Sequence, residues 1–131
     1  MATLTTKVTI SSDDLFGSAS GRASINFTQT KDITMTPETT GMGTIVAPVS
    51  GGTAVVVNAD VFTSQGHMWM KNNGTVAVDI YRDSGSNKIA QLSAGGVMLA
   101  PFYATSTSQI HIRSNSADTT ASVDYFFADL T

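Results

Sequence analysis

The chain contains no cysteine. Neither a disulfide framework nor a thiolate metal site is therefore open to it, and synthesis in a reducing compartment is the better fit. Charge is nearly as scarce. Ionic residues make up 13% of the chain, and the seven lysines and arginines are spread from Lys7 to Arg113. A nucleic-acid surface needs such charges clustered, so nucleic acid is not an expected partner. No apolar run reaches the length of a membrane span, and no stretch carries the 3.6-residue period of an amphipathic helix. Residues 1–7 lack the basic region and apolar run of a signal peptide, which gives an expectation of synthesis in the cytoplasm and no membrane partner.

What fills the sequence instead is serine and threonine, roughly a quarter of the residues, together with 11 glycines. That mixture suits strands with small polar faces joined by short turns. With a net charge of −3, little repulsion holds copies apart, and the composition leans towards an assembled protein. A chain of 131 residues reads as one domain spanning residues 1–131, large enough to build a core without staples.

The strongest local signal lies in residues 66–82, Gly-His-Met-Trp-Met-Lys-Asn-Asn-Gly-Thr-Val-Ala-Val-Asp-Ile-Tyr-Arg. Two alternating stretches flank Asn72-Asn73-Gly74, and an Asn-Gly pair supplies the positive-φ positions of a tight hairpin. Around it, strands are expected over residues 3–11, 22–29, 31–36, 88–92, 97–100, 109–114 and 121–130. Residues 38–52 read as a long connection crossing between sheets, with a short strand at 44–47. The all-apolar run Ala54-Val55-Val56-Val57 reads as a central strand covered on both faces. Short strands spaced about ten residues apart predict an all-β fold, an antiparallel β-sandwich or jelly roll of about eight to ten strands.

Chemistry-bearing residues are sparse. His67 and His111 fall on different strands without metal-ligand spacing. No Gly-x-Ser-x-Gly elbow anchors a hydrolase triad. Asp83-Ser84-Gly85-Ser86-Asn87 alternates oxygen side chains as calcium loops do, yet lacks the closing glutamate. Asp13-Asp14 reads as a solvated turn, and the Asn-x-Thr patterns at Asn26 and Asn73 carry no weight without a secretory signal. The expectation is a non-enzymatic protein with no catalytic residue, no cofactor and no metal.

Two surface readings stand. Trp69, Tyr81, Tyr103 and Tyr125 offer a sugar-stacking platform, or else anchor the core. Met68 and Met70 alternate with Trp69, so one of the two faces is core and the other exposes large apolar groups, as subunit contacts do. The candidate subunit interface comprises Met68, Trp69, Met70, Leu4 and Val8. Residues 1–11 read equally as an extended arm and as a first strand.

The C-terminal half resembles a pattern found in small accessory virion proteins of tailed bacteriophages. The matching elements are Met68 to Ile80 (MWMKNNGTVAVDI), Ile89 to Gly96 (IAQLSAGG), Pro101-Phe102, Ile110 to Ser114 (IHIRS) and Val123 to Phe127 (VDYFF). Gly96 and Val97 stand where the pattern usually has an acidic residue. The resemblance implies a virion structural protein, in the first instance a capsid decoration (cement) protein. Such a protein would oligomerise, as a trimer by preference, and bridge subunits of the major capsid protein or other virion proteins. The alternative is a carbohydrate- or receptor-binding module of a phage tail or fibre.

Overall fold

A computed structural model describes residues 2–12, 25–35, 41–57, 65–82, 87–103 and 109–129. Among the described residues there are ten strands and no helix. They are β1 (Ala2–Ser12), β2 (Ile25–Met35), β3 (Gly41–Ala47), β4 (Ala54–Val57), β5 (Gln65–Asn72), β6 (Val78–Arg82), β7 (Asn87–Leu92), β8 (Val97–Tyr103), β9 (Ile110–Ser114) and β10 (Ala121–Asp129). The residues group into two compact units, Met1–Thr34 and Met35–Thr131, where the sequence suggests a single domain.

In the first unit β1 and β2 pair with each other as a two-stranded sheet. β1 is thus not a strand of either larger sheet. Side-chain hydrogen bonds join Thr5 to Asp32, Thr6 to the Lys31 carbonyl and Thr9 to Thr28. One strand advances as the other retreats, so the pair is antiparallel. The expected break near Thr30 is absent, and β2 runs unbroken. Phe27 on β2 is 48% exposed.

The second unit is a sandwich of two four-stranded sheets, ordered β3-β10-β5-β8 and β4-β9-β6-β7. The chain alternates between them except at β6 and β7, which neighbour each other in one sheet. All six neighbouring pairs in these two sheets are antiparallel. This is the winding of a jelly roll, a β-sandwich as the strand rhythm predicts. Met68, Met70, Val123 and Phe127 from the first sheet meet Val78, Ile80, Ile110 and Ile112 from the second in one buried cluster. Each is a position of a two-residue alternation, which is why a single face of each strand reaches the core.

The Asn-Gly hairpin does not form. β5 pairs with β10 and β8, whereas β6 pairs with β7 and β9 in the other sheet. Residues 73–77 therefore carry the chain from one layer to the other. The reason is Asn72, which is completely buried. Its Nδ2 donates to the carbonyls of Val76 (2.8 Å), Ser93 (3.0 Å) and Leu92 (3.3 Å), and its Oδ1 accepts from the Gly74 N–H at 2.9 Å. One side chain thus ties the β5–β6 crossover to the β7–β8 turn. That turn also crosses between sheets, and Gly95 supplies its positive φ of 71°.

Two further expectations change. β4 pairs with β9 alone and lies at an edge, not at the centre of its sheet. β8 continues through Pro101 to Tyr103 instead of ending at Ala100. β8 is also an edge strand, where the missing proline N–H breaks no ladder.

Candidate interaction surface

The two sandwich sheets differ on their outward faces. On β4-β9-β6-β7 the outward face is polar, and it is organised on Asp79, only 5% exposed. Lys88 Nζ lies 2.6 Å and Gln91 Nε2 2.7 Å from Asp79 Oδ1, and the Tyr81 hydroxyl donates to Oδ2 at 3.2 Å. The Arg113 guanidinium stacks 4.3 Å above the Tyr81 ring. Burial pushes the Asp79 carboxyl up. The hydrogen bond and charge of Lys88, with the bonds from Gln91 and Tyr81, more than reverse this and hold it below its ordinary 3.8.

Because the folded pKa is the lower one, Asp79 contributes stability above the unfolded value near 3.8 and loses it as pH falls through the folded pKa. Asp79→Asn is expected to cost roughly 1–3 kcal/mol at neutral pH, the range for losing one partner of a charged hydrogen-bonded group. The difference from the parent protein should shrink as pH drops below 3.8, and urea melts at pH 7 and pH 3 will measure it. The group is fully satisfied by its neighbours and acts as a structural clasp.

The outward face of β3-β10-β5-β8 carries an apolar row across its full width. The strand register sets Phe126 opposite Met42 on one side and opposite Trp69 on the other, and sets Trp69 opposite Leu99. Met42, Phe126, Trp69 and Leu99 therefore form one row crossing all four strands. Met42 is 80% exposed and Leu99 39%, while Trp69 and Phe126 are half-buried. Val46 and Val97, both more than half exposed, lie on one side of the row, Val97 opposite Lys71 and Val46 opposite Ser122. A shallow depression of about 320 Å³ opens between Met42, Trp69 and Phe126.

A charged row runs beside the apolar one. Asp124 lies opposite Thr44 on β3 and Lys71 on β5. Thr44 Oγ1 donates to Asp124 Oδ1 and Asn73 Nδ2 to Oδ2, each at 2.7 Å. The Thr44 bond, then the Asn73 bond, and last the Lys71 charge outweigh slight desolvation and hold this carboxyl below its ordinary value. The sheet thus presents an apolar stripe bordered by a fixed anion and a neighbouring cation. Large apolar side chains in a contiguous exposed row mark a contact surface.

The structure divides the predicted interface residues. Met68 and Met70 are 3% and 0% exposed and belong to the core, so neither is available to a partner in the folded sandwich. Trp69 occupies the opposite face and joins the stripe. Val8 is 39% exposed on β1, in the other unit, and Leu4 lies on the same strand. The aromatic platform is not assembled, because Trp69 faces outwards, Tyr125 packs against the core and Tyr81 is buried on the other sheet. Tyr103 ends β8, its side chain lying outside those described.

The two histidines lie on different sheets. His111 Nε2 is 3.1 Å from Gln109 Oε1. Asp13-Asp14 and most of the Asp83–Asn87 turn lie outside the described residues. Among the described residues no three ligating side chains gather as a metal site.

Sequence reasoning missed Met42 and Leu99. Met42 fell in a stretch without clear period, and Leu99 in a strand read as too short to pair along β5. Phe126 left one trace, as the aromatic on the opposite face of β10 from Val123, Tyr125 and Phe127. Neither models of known protein families nor curated protein sequences match this chain.

Proposed function

We propose that the chain is a non-enzymatic structural protein of a tailed-bacteriophage virion, a capsid decoration (cement) protein. It would form a homo-oligomer and bridge subunits of the major capsid protein or other virion proteins. The observation that carries an assembly role is the apolar row Met42–Phe126–Trp69–Leu99, which crosses all four strands of one sheet. The rhythm of the C-terminal half supports the phage setting, and the jelly roll is a winding that viral capsid domains share with lectins and cupins. Bridging several shell subunits through modest contacts multiplies their affinities.

Cosedimentation with purified capsids lacking their accessory proteins tests this reading. The protein is expected to pellet with the shells at a saturating stoichiometry. Protein left wholly in the supernatant at micromolar concentration would contradict it.

A second reading, a carbohydrate- or receptor-binding module of a tail or fibre, is favoured by one feature. Trp69 and Phe126 line a depression beside the fixed Asp124 carboxylate, and an aromatic face beside a hydrogen-bond acceptor suits a sugar ring. A glycan-array signal abolished by Trp69→Ala selects that reading over the first.

A further inference from the structure

The stripe has a symmetry that names its occupant. Its two central strands, β10 and β5, are neighbours, and each outward residue of one has an outward counterpart on the other. Phe126 matches Trp69, and Asp124 matches Lys71. The flanking strands continue the match, with Met42 on β3 and Leu99 on β8 at the two ends of the row.

Consider a second copy laid face to face, related by a two-fold axis that runs parallel to the strands between β10 and β5. Such an axis exchanges β10 with β5 and β3 with β8, and keeps every residue at its height along the strands. Phe126 then meets Trp69 of the other copy, and Met42 meets its Leu99. Asp124 meets the other Lys71, and Lys71 the other Asp124. Along the row apolar faces apolar, each charge faces its opposite twice, and at the ends of the charged row Val97 meets the other copy's Thr44. The central pairs lie nearest the axis, where sheet twist displaces them least.

We propose that this face is the self-association surface of the protein, closed by a second copy through an isologous two-fold contact. The proposal rests on the assembly reading above and names the partner of that surface. A self-complementary face closes at two copies, so the contact makes a pair where the sequence suggests a trimer. Four strands about 4.8 Å apart and about seven residues at 3.3 Å each give a flat projection of roughly 400 Å² per copy. Over both copies that is roughly 800 Å², below the roughly 1,000 Å² of a stable interface, so the contact is a weak one that forms and separates with concentration.

Sedimentation equilibrium on the full chain, without capsids, tests the proposal separately from shell binding. The mass is expected to rise from the 13.7 kDa of one chain towards twice that value with concentration. Lys71→Glu and Asp124→Lys each set like charges against each other in both halves of the contact and should raise the dissociation constant at least tenfold. The double variant Lys71→Glu/Asp124→Lys restores the pairing and should return it to within about threefold of the parent. Trp69→Ala should leave a monomer.

Lys71 is exposed, so the circular dichroism melt of Lys71→Glu should lie close to the parent's. Asp124→Lys also gives up the Thr44 and Asn73 bonds and should melt lower while staying folded. A single-chain mass at every concentration, a mass that saturates at three chains, or a pair indifferent to both charge reversals would each overturn the proposal. Pairing without capsid binding would leave it standing and remove the decoration reading instead.

Discussion

Replacing Asn72 with leucine is expected to lower the stability of the sandwich by about 3–4 kcal/mol, a large share of the 5–15 kcal/mol typical of a domain. Leucine is close in size, so the site stays filled, but it offers no amide. Three carbonyls, those of Val76, Leu92 and Ser93, lose their donor at once, and the Gly74 N–H loses its acceptor. Each orphaned polar group costs roughly 1–3 kcal/mol when fully buried and less where water can reach it, which holds the total below a simple sum. Asn72→Asp should do at least as much harm, since it sets a carboxylate against carbonyl oxygens. Urea unfolding, with the midpoint falling at constant m-value, will measure both. If Asn72 were merely the end of a hairpin strand, the leucine variant would lose a few tenths of a kcal/mol.

Gly74→Ala should destabilise by about 2 kcal/mol, the middle of the range for overpacking a filled site. A methyl group there would lie 2.6 Å from the Ala121 Cβ and 2.9 Å from its Cα. Ala121 begins β10, is 2% exposed and pairs with Ala47 of β3, so it is held on both sides. Gly74 is not among the positive-φ glycines. Without the collision, alanine would stiffen the unfolded chain and stabilise by about 0.4–1 kcal/mol. The sign of the change therefore separates close packing from backbone freedom. Gly74→Ala/Ala121→Gly removes the methyl group that the new one meets, though not the Ala121 Cα at 2.9 Å, and should recover part of the loss, as thermal melts of the two variants will show.

These two positions also show how far the fold was legible from sequence. Asn72-Asn73-Gly74 carries the residues of a tight turn, and local chemistry alone cannot tell a turn within one sheet from a passage between two. The deciding partners, Leu92, Ser93 and Ala121, lie 18 to 49 residues away in the chain. Alternation located β9 and β10, where Ile110, Ile112, Val123 and Phe127 each bury one side of a strand. It misplaced β4, since an apolar run looks the same at the edge of a sheet as at its centre.

The contact stripe was legible in one residue of four. Trp69 stood out by type, while Met42, Phe126 and Leu99 become its neighbours only through strand order, which alternation does not encode. Met68 and Met70 were grouped with Trp69 because they adjoin it in sequence. The pleat sends them to the opposite face.

Trp69 is the chain's single tryptophan and lies in the middle of the stripe, so its fluorescence reports on this surface alone. Emission recorded from nanomolar to high micromolar protein is the most direct measure of whether a second copy covers it. The face-to-face pair predicts a sigmoidal blue shift as the half-buried indole leaves water, displaced to higher concentration by Lys71→Glu. An emission maximum that stays constant over the whole range, in the parent and the variant alike, would contradict it.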